Sequence, residues 1–201
     1  MCKRVDSRTL VAYHEAGHAI LSLAIGDTPH HVSILSQGES LGRSVQKMLS
    51  RPVVHAQVYL AGFAAEHLLT GRRPRQLDQE VGFARLTLGA PDLIAAFDGF
   101  ADRDGYRAVQ AVLRTGLLND DETAFEIERF YEAARASLAA VWPAVQALGK
   151  ALLKHEELDE DRIFEAIQGI DIYRPVLAVQ EERGLRFNMV SGIRSLEALP
   201  T

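Results

Sequence analysis

Apolar residues recur along this chain at two different spacings. Between residues 8 and 25, Leu10, Tyr13, Gly17, Ile20, Leu21 and Ala24 fall at helical intervals, which predicts a helix stopped by Gly26. In residues 30–36 the period drops to two. Val32, Ile34 and Ser36 share one face of a predicted strand. Gln37-Gly38-Glu39-Ser40 has turn composition, and Leu41 to Gln46 can return as a second short strand to close a hairpin. A second helix is predicted over 52–70, with Pro52 in its first turn and Gly71 at its end.

A polar loop is expected over 72–77, then helical segments over 78–89 and 92–98. A helix from about 104 to 118 would carry Ala108, Val112, Leu113 and Leu117. From Ile127 the positions Phe130, Tyr131, Ala134, Leu138, Val141 and Trp142 form one stripe, after which Pro143 starts or kinks a helix bearing Val145, Leu148 and Leu152. Asp159 can cap a last short helix through Ile167. Residues 170–201 lose clear periodicity, so 171–201 is expected to be an extended arm or frayed tail following a domain over 1–170. No internal repeat or low-complexity tract is present. The fold class that follows is mainly α (α+β): a helical, bundle-like domain with a small β-hairpin or three-stranded sheet beside the first helix.

Composition narrows the chemistry. With 201 residues, 47% hydrophobic and 24% charged, the chain has the profile of an ordinary globular domain. A net charge of −5 gives no basic footprint for nucleic acid, and Arg72-Arg73-Pro74-Arg75 reads as a solvated loop. The one cysteine, Cys2, excludes an internal disulfide and a site built from several thiolates, so any metal must sit on histidine and carboxylate. No apolar window reaches the roughly 20 residues of a membrane span. The apolar stretch after Lys3 and Arg4 is broken by His14, Glu15 and His18, which argues against a cleaved signal. The expected address is cytoplasmic, with no membrane anchor.

The chemistry concentrates in His14-Glu15-Ala16-Gly17-His18. Two histidines four apart on a helix stack on one face, as two nitrogen ligands of one tetrahedral zinc must. Glu15, on the adjoining surface, is placed to handle the proton of an activated water rather than to bind the metal. The other reading is a pair of surface histidines with an unrelated glutamate. The apolar setting of the helix, and the small Ala16 and Gly17 between the ligands, weigh against it. Zn2+ is the expected cofactor.

The run VAYHEAGHAI, followed by HHVSIL and GESLGRSVQ, resembles the peptidase domain of the membrane-anchored AAA+ zinc proteases, the FtsH-type family. VYLAGFAAEHLLTG resembles that family's next helix, and DDETAFEIERFYEAARASLAAVWPAVQALGKALLKHEELDEDRIFEAI its C-terminal helical region. The resemblance covers roughly residues 8–70 and 100–168, and makes 120–168 the C-terminal helical part of a zinc metallopeptidase domain. Nothing resembles the family's ATPase module or its anchor. The expectation is therefore a stand-alone peptidase domain or a fragment, with a separate AAA+ ATPase partner and a homo-oligomer both left open. The resemblance implies a third ligand, an Asp opening a helix. Asp104 in GFADRDGYRAV is favoured, which would make 72–98 an insertion; Asp78 or Glu80 in QLDQEVGFARL is the competing placement, and Asp102 and Glu66 are further alternatives. Asp104 could instead be a simple helix cap. Glu66 fits better as a carboxylate that orients one of the histidines.

His30, His31, His55, His67 and His155 are weak ligand candidates. Trp142 with Phe130 and Tyr131 reads as helix packing rather than a groove. Either 31–36 or 41–46 could be a strand edge that takes an extended peptide. These readings lead to a zinc metalloendopeptidase acting on polypeptide substrate, with Glu15 as general base. The alternative is a catalytically inactive, metal-bound domain of the same fold that serves as a protein-interaction module. A third reading is a helical interaction module without metal.

Overall fold

In the computed structural model, residues 5–35, 43–47, 52–87, 103–114 and 120–185 are described. Helix α1, Ser7–Ala24, is started by Asp6, whose carboxylate accepts from the Thr9 backbone N–H at 2.9 Å and from its hydroxyl at 2.7 Å. Twelve of its residues are buried. Ala12, Ala16, Ala19, Ile20, Leu21 and Ala24 are fully covered. Such a run of small side chains lets neighbouring backbones come close. A Cβ on Gly17 would sit 2.6 Å from the Ala61 carbonyl oxygen and 2.7 Å from the Ala65 Cβ, so α1 lies directly against α2, Pro52–Thr70.

Strand β1, Thr28–Ser33, pairs antiparallel with β2, Arg43–Lys47, on one side and with β3, Glu157–Asp159, on the other. The order is β2-β1-β3, and the β1–β2 register slips between Pro29 and His31. His31, Val32 and Ser33 are thus paired on both sides. The expected peptide-accepting edge at 31–36 does not hold for these residues, because β3 occupies it. The turn at 37–40 lies outside the described residues.

Helix α3, Arg75–Thr87, begins inside the expected 72–77 loop. Leu77, Glu80 and Ala84 are buried at helical spacing, and burying Leu77 takes up the first turn. The helical segment expected over 92–98 lies outside the described residues. Helix α4, Asp104–Leu113, ends sooner than expected, its last turn passing into Arg114; 115–119 also lie outside. It packs between α2 and α3. Helix α5, Asp120–Ala140, and helix α6, Trp142–His155, are separate elements turned by 84° across Val141. Pro143, in the first turn of α6, starts a helix rather than kinking one. Asp159 caps α7, Glu160–Ala166, by accepting from the Arg162 N–H at 3.0 Å.

The extended arm expected from residue 171 is corrected over Tyr173–Glu182, which is helix α8 and packs on α5. Its buried face runs Ile172, Val176, Gln180, four apart. One member of that stripe is a glutamine, so apolar periodicity could not reveal it. Residues 186–201 lie outside the described residues. The architecture is mainly helical with a small antiparallel sheet. Among the described residues, no single helix is long and apolar enough to cross a membrane.

Candidate metal centre

His14 and His18 project from one face of α1, their rings edge to face at 4.7 Å. Their Nε2 atoms lie 3.0 and 3.1 Å from a single oxygen, Oδ2 of Asp104, the first residue of α4. The connection spans 86 residues from His18. Each ring is also held from behind. His14 Nδ1 donates to Glu66 Oε1 at 2.6 Å, and His18 Nδ1 donates to the Val58 carbonyl at 2.6 Å. Both partners stand on α2, which the small residues of α1 admit. Phe63 meets the His14 ring edge to face at 5.2 Å. A Cβ on Gly62 would overlap that ring, so only glycine leaves His14 its place.

These bonds fix the tautomers. A ring whose Nδ1 carries the hydrogen presents Nε2 as a lone pair when neutral. Two lone pairs and a carboxylate oxygen then converge, and they repel unless positive charge sits among them. A proton on a ring nitrogen would meet that need. Burial opposes charge on His14, but the bonds to Asp104 and Glu66 prevail and hold its pKa well above the usual imidazole value. Burial likewise opposes charge on His18, where Asp104 prevails and raises it. Burial opposes ionised Asp104, yet His18 and His14 hold its carboxyl well below the usual carboxylate range.

A divalent cation meets the same requirement. Zinc bonds of about 2.1 Å in tetrahedral directions set ligand atoms about 3.4 Å apart. The observed 3.0 and 3.1 Å are close to that. The three ligand atoms lie within 4.8 Å of one another, and among the described residues no fourth His, Cys, Asp or Glu joins the group. Two imidazoles and a carboxylate with one direction open is a zinc set of the catalytic kind. The residues present fit the ion.

Glu15 lies beside the triad, 7% exposed. Burial pushes its carboxyl above the usual value, against the pull of His18 and His14. Of the three, Asp104 is the most exposed, with 27% of its side chain open to solvent against 15% for His14 and 7% for His18.

Set against the ligand candidates, the structure brings together His14, His18 and Asp104. Asp104 is not a helix cap: Arg103 holds that position and makes no side-chain capping bond. Glu66 orients His14. Asp78 faces away, its Oδ1 accepting from Arg73 Nε at 3.0 Å. Glu80 is buried against α4 and outside the triad, and Asp102 is outside the described residues. His30 pairs with Glu160 at 2.9 Å and His67 with the Tyr131 hydroxyl at 2.9 Å. The Val58 carbonyl was not legible beforehand, because a backbone oxygen leaves no residue signature. Gly62 could have been read from the small-residue run of α2.

With this geometry in view, similarity to known proteins becomes informative. The chain is 30% identical over 190 residues to an ATP-dependent zinc metalloprotease YME1 homolog of Caenorhabditis elegans, covering 83% of this chain and 26% of that protein. It is 31% identical over 178 residues to the ATP-dependent zinc metalloprotease YME1L of Drosophila melanogaster, covering 79% and 24%. The chain is FtsH-like. An FtsH of Magnetococcus marinus, also an ATP-dependent zinc metalloprotease, is 27% identical over 193 residues, covering 81% and 28%. The chain spans about a quarter of the length of these FtsH-type relatives. No protein-family model matches it.

Proposed function

We propose that this chain is a zinc metalloendopeptidase that hydrolyses peptide bonds in polypeptide segments, with His14, His18 and Asp104 as zinc ligands and Glu15 as general base. The convergence of two Nε2 atoms on one Asp104 oxygen, with both Nδ1 atoms already committed elsewhere, carries this reading. The zinc metalloprotease names of the relatives supply its reaction class. Zinc bound there supplies a lowered water pKa and polarisation of a substrate carbonyl.

The remaining work belongs to side chains. Glu66 and the Val58 carbonyl hold the two rings in the tautomer that offers Nε2. The Glu15 carboxylate takes the proton of the attacking water as the new C–O bond forms, then delivers it to the amide nitrogen as the C–N bond breaks. Burial raises its pKa, which makes this carboxylate a stronger base than an exposed glutamate. Strand β2 remains the candidate for receiving an extended substrate alongside the sheet.

The test is Glu15→Gln. Protein stripped of metal and reloaded should hold one zinc per chain in both wild type and variant. Cleavage of an unfolded protein should be chelator-sensitive in wild type and lost by at least ~100-fold in the variant. Equal cleavage by the two sinks the catalytic role. Zinc bound without cleavage by either form favours an inactive interaction module.

A further inference from the structure

Helix α4 carries Asp104 at its first position, so whatever fixes that end of the helix fixes the carboxylate. The first N–H groups of a helix have no partner within it, and a capping side chain ordinarily supplies one. Arg103 occupies the cap and makes no such bond. Asp104 is turned to the histidines. The bond comes instead from α3: Glu80 Oε2 accepts from the Gly105 N–H at 2.9 Å. Glu80 is 2% exposed; its Oε1 accepts from Gln76 Nε2 at 2.8 Å and lies 3.7 Å from Arg103 Nη1. Residue 105 leaves room for this approach, since a Cβ there would sit 2.6 Å from the Glu80 Cβ and 3.0 Å from its Oε2.

We infer that Glu80 is the positioning residue for the third ligand. It caps α4 from a neighbouring helix and so sets where Asp104 meets His14 and His18. A buried carboxylate also suits the partial positive charge of a helix N-terminus, which retains it there. The ligand on α4 is thereby tied to α3 through a single hydrogen bond one residue beyond Asp104. This rests on the metal reading above, and it adds a determinant of affinity that touches neither the ion nor substrate.

The experiment is zinc affinity by chelator competition on metal-free protein, for wild type, Glu80→Ala, Glu80→Gln and Gly105→Ala, with helical content followed by circular dichroism. Glu80→Ala should weaken zinc binding about 10- to 100-fold, the range for residues that orient ligands. Glu80→Gln keeps an acceptor oxygen and should recover most of that loss. Gly105→Ala leaves every charge in place and favours helix, so it remains interpretable if Glu80→Ala does not fold; it should weaken binding by pressing Glu80 away. Amide exchange at Gly105 in the metal-free proteins should quicken in Glu80→Ala and not in Glu80→Gln. Zinc affinity within twofold of wild type in folded Glu80→Ala, or in Gly105→Ala, overturns the assignment alone. A wild-type protein that takes up no zinc overturns it together with the metal reading.

Discussion

At the scale of single residues, the centre depends on what is missing from α2 as much as on what is present. His14 fits only because residue 62 has no side chain. Gly62→Ala is therefore expected to rotate or displace the ring, lowering zinc affinity by at least ~10-fold. The added methyl should also cost about 1–3 kcal/mol of stability through overpacking. Chelator competition and thermal unfolding read the two effects separately, and unchanged affinity would show that the ring has somewhere else to go. The sequence made His14 and His18 legible because a spacing of four is a local geometric statement. It did not single out Asp104 in the same way. Asp104, Asp78 and Glu80 are all acidic residues at or near helix starts, and the choice among them is made by a contact 86 residues long that no local pattern encodes. Only the family resemblance ranked them.

Among elements, α1 and α2 were readable because their apolar stripes are continuous, whereas α8 and β3 were not. Strand β3 has three residues, too few for a period to show. Helix α8 is held in part by polar groups: Gln180 Nε2 donates to Gln57 Oε1 at 2.9 Å and to Ser137 Oγ at 2.8 Å, within an interior where Gln180 is 1% exposed. The network is incomplete, since Gln57 Nε2 and Gln180 Oε1 find no partner among the described residues. Removing one member leaves the other buried without a donor, at about 1–3 kcal/mol. Gln180→Ala is expected to show that loss in denaturant unfolding. Gln57→Leu, Ser137→Ala and Gln180→Leu combined should recover much of it, because replacing all three partners by apolar groups removes the desolvation cost along with the bonds. A triple variant as unstable as the sum of the single ones would show that the polar cluster anchors α8 rather than burdening it.

For the molecule as a whole, protons and metal compete for one place. In the metal-free protein His14 and His18 have pKa values above the ordinary 6.5. A group raised on folding contributes stability that is complete below its unfolded pKa and is lost as pH climbs through the folded one. The metal-free protein should therefore unfold at progressively lower temperature as pH is raised past the ordinary imidazole value and through the higher folded one. Zinc has to displace those protons, so its affinity, and the gain in Tm it brings, should grow over the same window. Calorimetry of the two forms across that range checks this, together with zinc titrations in buffers of different ionisation heat, which count the protons released. A gain in Tm independent of pH would mean that the rings are already neutral without metal.

The two imidazoles are supported unequally. One leans on Glu66, a side chain spelled out in the sequence; the other leans on the Val58 carbonyl, which every amino acid at that position would supply. A mutation can thus retune the basicity of His14 in a single step, by exchanging carboxylate for amide or removing it, while His18 answers only to a shift of the α2 backbone. Of the two rings, then, only His14 has a heritable dial for its basicity, and it is at residue 66.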